Sequence, residues 1–161
     1  MASSRHFLYH GTTSRSAKNI FLIRDPREML PSLSIQLPHA TLIDTGLQRQ
    51  WELYSDLSAA DQRPAVLDSR ELLQSPGSVI QKLCEHLQIG FDDAMLTWKP
   101  GGRPEDGVWA EHWYHAVHKS TGFAPYESKP EFPDRLQELV NDCKPWYEKL
   151  YKHALRAGDD V

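Results

Sequence analysis

The segment from Ile20 to Ser32, IFLIRDPREMLPS, holds the residues whose types and spacing are best suited to chemistry. Arg24 follows a short apolar run that predicts a buried strand, and Asp25, with a proline after it, is typical of a helix start. Ligands of open α/β sheets bind at the carboxyl ends of strands, and a helix N-terminus favours anions. An arginine there is suited to bind phosphate. Ser32, eight residues after Arg24, could add a hydroxyl to the same anion. In the alternative interpretation, Arg24 and Asp25 are only a surface charge and a helix cap.

The elements that position this segment can be predicted from apolar runs and helix signals. Short apolar runs at residues 19–23 and 64–67 predict two buried strands. Helices are predicted over about residues 26–37, 44–57, 76–89 and 108–118, and from residue 134 onward. Gly90 should end the third helix, and Pro145 should kink or split the last one. The pattern indicates an α/β fold with parallel strands, and two strands make only a partial or reduced sheet.

Three stretches of the chain resemble sulfotransferases that use PAPS (3′-phosphoadenosine 5′-phosphosulfate). FLIRDPREMLPSL is similar to the motif of a strand, Arg-Asx-Pro, and a helix with a serine eight residues after the arginine. VLDSRELLQSPGSVIQKLCEHLQI and DAMLTWKPGGRPEDGVWAEHWYHAVHKSTGF resemble later segments of one branch of sulfotransferase-like proteins. That branch occurs in bacteria, fungi and plants, and its plant relatives are sometimes labelled aminotransferase-like.

The resemblance implies a fold, a cosubstrate and a reaction. The fold would be a partial P-loop-type three-layer α/β fold with a short parallel sheet and predominantly helical content. Arg24 and Ser32 would bind the 3′-phosphate of PAPS, and PAP would leave after a sulfuryl group is transferred to a hydroxyl or amine of a small-molecule acceptor. Sulfotransferases also close a late, basic, glycine-containing loop over the nucleotide, which here would be Lys119, Ser120, Thr121 and Gly122. An ordinary helix C-terminus explains that loop equally well.

A catalytic histidine precedes the motif arginine by about twenty residues in the family. His6, eighteen residues before Arg24, is the first candidate for this general base, and His10 is the second. In the alternative interpretation, both histidines are solvated side chains of an N-terminal segment.

The family's glycine-rich loop for the 5′-phosphosulfate has no clear counterpart. Only 23 residues precede Arg24, and Gly11-Thr12-Thr13 copies the family's loop superficially. A parallel crossover needs a dozen or more residues, but only Ser14 to Lys18 follow before the predicted strand. We therefore interpret the match as chance. Residues 1–161 are predicted to be a single, truncated sulfotransferase-like domain with impaired catalysis, or a non-catalytic remnant that binds nucleotide or protein.

The composition and charge of this 161-residue chain argue against several classes of partner. A net charge of −4 argues against nucleic-acid binding, and the absence of a long apolar run argues against a membrane span. Cys84 and Cys143 form no C-x-x-C motif, and no signal peptide is evident, so we expect a cytoplasmic protein. Three histidines, at positions 112, 115 and 118, diverge around a helix, so no metal site is predicted. An incomplete sheet would expose apolar surface, which predicts self-association.

Overall fold

A two-stranded parallel sheet lies at the centre of the fold. The structure is a computed structural model that describes residues 17–107, 114–128 and 131–158. Strand β1 (Ile20–Ile23) pairs with β2 (Ala65–Asp68), with Ile20 opposite Ala65 and Ile23 opposite Asp68. Both strands lie within one residue of their predicted positions. The partial α/β fold with a short parallel sheet is confirmed, whereas the three-layer P-loop-type arrangement stays a prediction.

Helices account for most of the regular structure in the described ranges. The α-helices there are α1 (Pro26–Gln36), α2 (Leu42–Thr45), α3 (Leu47–Ala59), α4 (Ser69–Gln74), α5 (Pro76–Leu87), α6 (His115–Lys119) and α7 (Gln137–Tyr151). Short 3-10 turns cover Asp93–Leu96, Pro104–Asp106 and Asp134–Leu136. No helix among these residues is long and apolar enough to cross a bilayer.

Several predicted helix boundaries were wrong for local reasons. The single helix expected over residues 44–57 is two helices, because Gly46 adopts a left-handed φ of 71° and separates α2 from α3. Helix α5 ends at Leu87, and the residue that caps it is Gln88, which is left-handed with φ of 60°, and not Gly90. Pro145 does not split α7, which continues to Tyr151. Helix α4 was not predicted, since six residues are too few to show a helical period.

The core forms where α3 and α7 pack against the sheet. Helix α7 contacts both strands, α1 and α3, so it ties the sheet to the helices. The buried side chains of this cluster are Phe21, Ile23, Leu47, Val66, Cys143, Tyr147, Leu150 and Ala154. All four residues of β2 are buried, and α5 also packs against that strand. The sheet and α7 therefore form a rigid base from which the loops after β1 and β2 extend.

Strand β1 is buried on one side only. Phe21 and Ile23 point into the core, whereas Ile20 and Leu22 are 46% and 60% exposed. This alternation is the usual pattern of a strand that has one face covered. The exposed pair is consistent with the apolar surface that an incomplete sheet would leave, and self-association through it stays a prediction.

Candidate functional site

The junction between β1 and α1 is built by Asp25. Its carboxylate accepts a hydrogen bond from the amide of Arg27 at 2.8 Å. Its carbonyl accepts from the amides of Glu28 and Met29 at 2.9 and 3.0 Å. Pro26 has no N–H, so the first-turn amides of α1 are already satisfied within the chain. The expectation that free helix N–H groups bind an anion here was therefore wrong, and an anion would have to be held by side chains.

Arg24 provides such a side chain. It directly follows β1, its side chain is 44% exposed, and it borders an open cleft of about 410 Å³. Its Nε lies 3.8 Å from Glu28 Oε2, beyond hydrogen-bond distance. The guanidinium thus keeps donors available for a ligand. The cleft is lined by Leu22, Ile23, Arg24, Glu28, Met29, Thr45, Leu47, Gln50, Ser69, Leu73, Tyr126 and Glu127.

Two residues that line the cleft, Gln50 and Ser69, each hold a polar atom without a partner in the described part of the chain. Gln50 Oε1 and Ser69 Oγ are both buried, and neither has a hydrogen-bond partner among the described residues. A buried polar atom without a partner is costly, by about 1–3 kcal/mol. A rotation of either side chain toward the cleft would let a ligand with hydrogen-bonding groups remove this cost.

Arg70 connects the ends of the two strands. Its Nη2 lies 2.8 Å from Asp25 Oδ2 and 3.0 Å from Glu28 Oε1, and its Nε donates to Glu28 Oε1 at 3.1 Å. Tyr126 donates its hydroxyl to the same oxygen at 2.7 Å, and its ring lies 5.9 Å from the Arg70 guanidinium. Arg70 therefore pairs with both acids next to Arg24, and Tyr126 adds a hydrogen bond to one of them, Glu28.

The protonation states of this network follow from its contacts. Partial burial disfavours the charge of Arg70, but the carboxylate of Glu28, its hydrogen bond and Asp25 outweigh this and raise the pKa of Arg70. The hydrogen bond to Glu28 raises the pKa of Tyr126 above its usual value. Arg70 is therefore a permanent cation and Tyr126 a neutral donor at physiological pH.

Ser32 lies further along α1, on its exposed surface. Its hydroxyl donates to the carbonyl of Met29 at 2.9 Å, and it is not among the residues that line the cleft of Arg24. The hydroxyl oxygen could still accept, or the proton could turn to an incoming anion. The pairing of Ser32 with Arg24 on one phosphate stays a prediction.

The segment Lys119–Gly122 contacts Trp98 and the residue before it. Ser120 Oγ accepts a hydrogen bond from Trp98 Nε1 at 2.9 Å, and the Thr121 carbonyl accepts from the Trp98 amide at 3.0 Å. Gly122 forms an antiparallel bridge with the residue before Trp98. The Lys119 side chain is exposed at the end of α6. These contacts position the segment next to the loop that follows Trp98, and its role toward a nucleotide stays a prediction.

His118 of α6 contacts the loop that follows Trp98. Its Nε2 lies 2.9 Å from Asp106 Oδ2, and its carbonyl accepts from the Gly101 amide at 2.7 Å. A Cβ on Gly102 would approach the His118 ring to 3.2 Å, so only glycine fits there without displacement. The amide of Arg103 donates to Asp106, and this bond, followed by that of His118, lowers the pKa of Asp106.

Removal of the Asp106 carboxylate should loosen this loop. We expect Asp106→Ala to speed hydrogen exchange at the amides of Gly101 and Arg103, because the variant loses the acceptor for both His118 and Arg103. Wild type should show the same loosening in acid: the pKa of Asp106 is lowered, so its contribution is present above about pH 3.8 and is lost as pH falls below that. Residue-resolved NMR exchange measures both effects. The neighbouring variant Glu105→Ala should leave these rates unchanged, and equal rates in all three proteins would contradict the assignment.

Comparison with known proteins identifies the family. The family model described as Sulfotransferase domain matches residues 7–154. The chain belongs to this sulfotransferase family. It is 38% identical over 137 residues to "Branched-chain-amino-acid aminotransferase-like protein 2" of Arabidopsis thaliana. The aligned region covers 84% of this chain and 24% of that protein. It is 40% identical over 138 residues to "Branched-chain-amino-acid aminotransferase-like protein 1" of the same plant, covering 85% and 25%. No solved structure matches significantly.

This sulfotransferase-family chain thus spans about a quarter of the length of the two plant relatives. The resemblance predicted from the Arg24 motif and the two later segments is confirmed by the family match. His6, His10 and Gly11-Thr12-Thr13 lie outside the described residues, as does His112. Within the described ranges, no group of three or more His, Cys, Asp or Glu side chains could hold a metal ion.

Sequence reasoning missed the Arg70 network of this sulfotransferase-family site. One signal was available: Arg70 lies two residues after the end of β2 and Arg24 directly after the end of β1, and the carboxyl ends of parallel strands meet at one edge. Tyr126 had no such signal, since it lies in an irregular stretch 98 residues from its partner Glu28.

Proposed function

We propose that this chain binds the 3′-phosphate of PAPS through Arg24 and takes part in sulfuryl transfer to a hydroxyl or amine of a small molecule. The observation that carries the proposal is the exposed guanidinium at the carboxyl end of β1, beside a cleft of about 410 Å³, in a chain that matches a sulfotransferase domain. A guanidinium matches a phosphate bidentately, and Ser32 would add a hydroxyl.

The residues around the cleft fit such a ligand. The two acids beside Arg24 both pair with Arg70, which offsets one of their two negative charges, so they repel an anion less than free carboxylates would. When bound, PAPS would supply the sulfuryl group and PAP as the leaving group.

Three further roles belong to the same proposal. His6 would accept the proton of the acceptor group as general base. Lys119 would place a second cation beside the nucleotide, and Ser120, Thr121 and Gly122 would orient that segment through their contacts with Trp98. The small-molecule acceptor and PAPS are then the partners of the chain, and no metal takes part.

The test is a thermal-shift comparison of PAP with AMP, which lacks the 3′-phosphate. We expect PAP to raise the Tm clearly, because a ligand at 100 times its Kd stabilises the native state by about 2.7 kcal/mol. AMP at the same concentration should raise it much less. Equal shifts with both nucleotides, or no shift with either in a cooperatively folding sample, would contradict the proposal.

A second candidate function is a non-catalytic remnant of the fold that binds nucleotide or protein. The first-turn amides of α1 and the hydroxyl of Ser120 already have partners within the chain, which favours this candidate. A transfer assay with radiolabelled PAPS and a panel of phenols, alcohols and amines separates the two. Labelled acceptor supports the enzyme, whereas PAP binding without turnover across the panel supports the remnant.

A further inference from the structure

We propose that Arg70 is a positioning residue for the phosphate site: it holds Asp25 and Glu28 so that Arg24 stays available for the 3′-phosphate. This inference rests on the proposed function. Arg70 reaches both acids at 2.8–3.1 Å, whereas Arg24 makes only a 3.8 Å contact with Glu28. Arg70 therefore pairs with the carboxylates, and the guanidinium of the more exposed Arg24 stays available to a ligand.

The two oxygens of Glu28 have different partners. Oε1 accepts from Arg70 Nε and from the hydroxyl of Tyr126, and Arg70 Nη2 lies 3.0 Å from it. Oε2 faces Arg24, but at a distance that a hydrogen bond does not span. Glu28 lies in the first turn of α1, and Arg24 precedes that helix by two residues. Their 3.8 Å contact shows that the two side chains would pair closely if Glu28 were not held elsewhere.

The charges of these side chains also indicate that Arg70 keeps Arg24 available. Arg24, Arg70, Asp25 and Glu28 contact one another at this edge of the sheet, and these four side chains together carry no net charge. Without Arg70 the remaining three groups carry one negative charge. The Asp25 and Glu28 side chains are only 22% and 14% exposed, so solvent would screen them poorly. They would then pair with Arg24 and repel a phosphate dianion.

The backbone of Arg70 is fixed independently of the acids. Asp68, the last residue of β2, caps α4 and accepts from the Arg70 amide at 2.9 Å. The sheet register places Asp68 opposite Ile23, which directly precedes Arg24. The parallel pairing therefore brings the two arginines to the same edge, although they are far apart in sequence.

The test is a set of charge variants whose PAP affinity is measured by calorimetry. We expect Arg70→Gln to weaken PAP binding about tenfold, from one uncompensated charge near the site. The double variant Arg70→Gln with Glu28→Gln restores a neutral cluster, and we expect it to recover most of the lost affinity. Arg70→Lys should lie between wild type and Arg70→Gln, since lysine keeps the charge and loses the fork. Arg49→Gln, which removes a surface arginine paired with Glu52 at 3.1 Å, serves as the matched control.

Urea unfolding of each variant separates positioning from a merely structural role. A structural role predicts a loss of stability with no recovery of affinity in the double variant, and that result would overturn the inference. If Arg70→Gln does not fold, Glu28→Gln alone decides: it should bind PAP at least as tightly as wild type, and weaker binding would overturn the inference.

Failure of the inference and failure of the proposed function give different patterns. If Arg24→Ala abolishes PAP binding but Arg70→Gln leaves it unchanged, only the positioning role of Arg70 is wrong. If wild type does not bind PAP, or if Arg24→Ala binds it as wild type does, the proposed function is wrong and the positioning role falls with it.

Discussion

Replacement of Asp68 by alanine is expected to lower the free energy of unfolding by about 3 kcal/mol. Asp68 is fully buried, and its Oδ1 accepts from the amides of Arg70 and Glu71 at 2.9 and 3.2 Å. Its Oδ2 accepts from the Tyr147 hydroxyl at 3.0 Å. The alanine variant loses the cap of α4 and leaves the tyrosine hydroxyl buried without a partner. Urea unfolding followed by circular dichroism measures the change.

An exposed capping aspartate is the matched control for Asp68. Asp92 accepts from the amide of Ala94 at 2.8 Å but has no buried partner, so Asp92→Ala should cost only about 1 kcal/mol. Tyr147→Phe should cost about 1 kcal/mol as well, since it removes one hydrogen bond from Asp68. If Asp68→Ala costs no more than Asp92→Ala, the buried hydrogen bonds do not stabilise the site as described.

The pH dependence of the unfolding free energy is a second test of the environment of Asp68. Burial raises the pKa of Asp68 above 3.8, although its hydrogen bonds oppose this. The native state then binds this proton at a higher pH than the unfolded state does, so this carboxyl makes the protein less stable as pH rises through that interval. The difference in unfolding free energy between wild type and Asp68→Asn should therefore change in favour of wild type as pH falls from neutral toward 4. A constant difference would contradict the raised pKa.

Replacement of Arg24 by alanine is expected to lower PAP affinity by about 10- to 100-fold. A hydrogen bond to a charged group contributes about 1.5–3 kcal/mol, and no other described side chain takes the place of Arg24 at the end of β1. AMP affinity should change little, because AMP lacks the 3′-phosphate. Calorimetric titration of both nucleotides measures the two effects together.

Two variants control for charge in the Arg24 experiment. Arg49→Ala removes a surface arginine whose side chain is 71% exposed on α3, and it should bind PAP as wild type does. Arg24→Lys keeps the charge but not the planar fork, so its affinity should lie between those of wild type and Arg24→Ala. If Arg24→Ala and Arg49→Ala weaken PAP equally, only general electrostatic attraction is involved.

The features predicted from sequence are those with local signals. Residues 20–23 and 64–67 are apolar runs without a break, and Asp25-Pro26 and Ser75-Pro76 begin helices that the structure has. Each depends on side chains within a few positions of one another. For the same reason, the exposed arginine after β1 could be found from the sequence.

The features that were missed depend on distant contacts or on single backbone angles. Arg70 and Glu28 are 42 residues apart, and Tyr126 and Glu28 are 98 apart, so no local pattern pairs them. The break at Gly46 and the left-handed Gln88 each depend on one dihedral angle, which competes with a continuous helical period. The hydrogen bond between Trp98 and the hydroxyl of Ser120 joins residues 22 positions apart, so no local pattern predicts it.

The measurement that tests the site most directly is phosphorus NMR of PAP titrated with the protein. PAP carries a 3′- and a 5′-phosphate, whose resonances report separately on their surroundings. We predict that the 3′-phosphate resonance shifts or broadens on binding, that the change is retained in Arg49→Ala, and that it disappears in Arg24→Ala. If only the 5′-phosphate resonance changes, or if the 3′ change persists without Arg24, then Arg24 does not bind the 3′-phosphate.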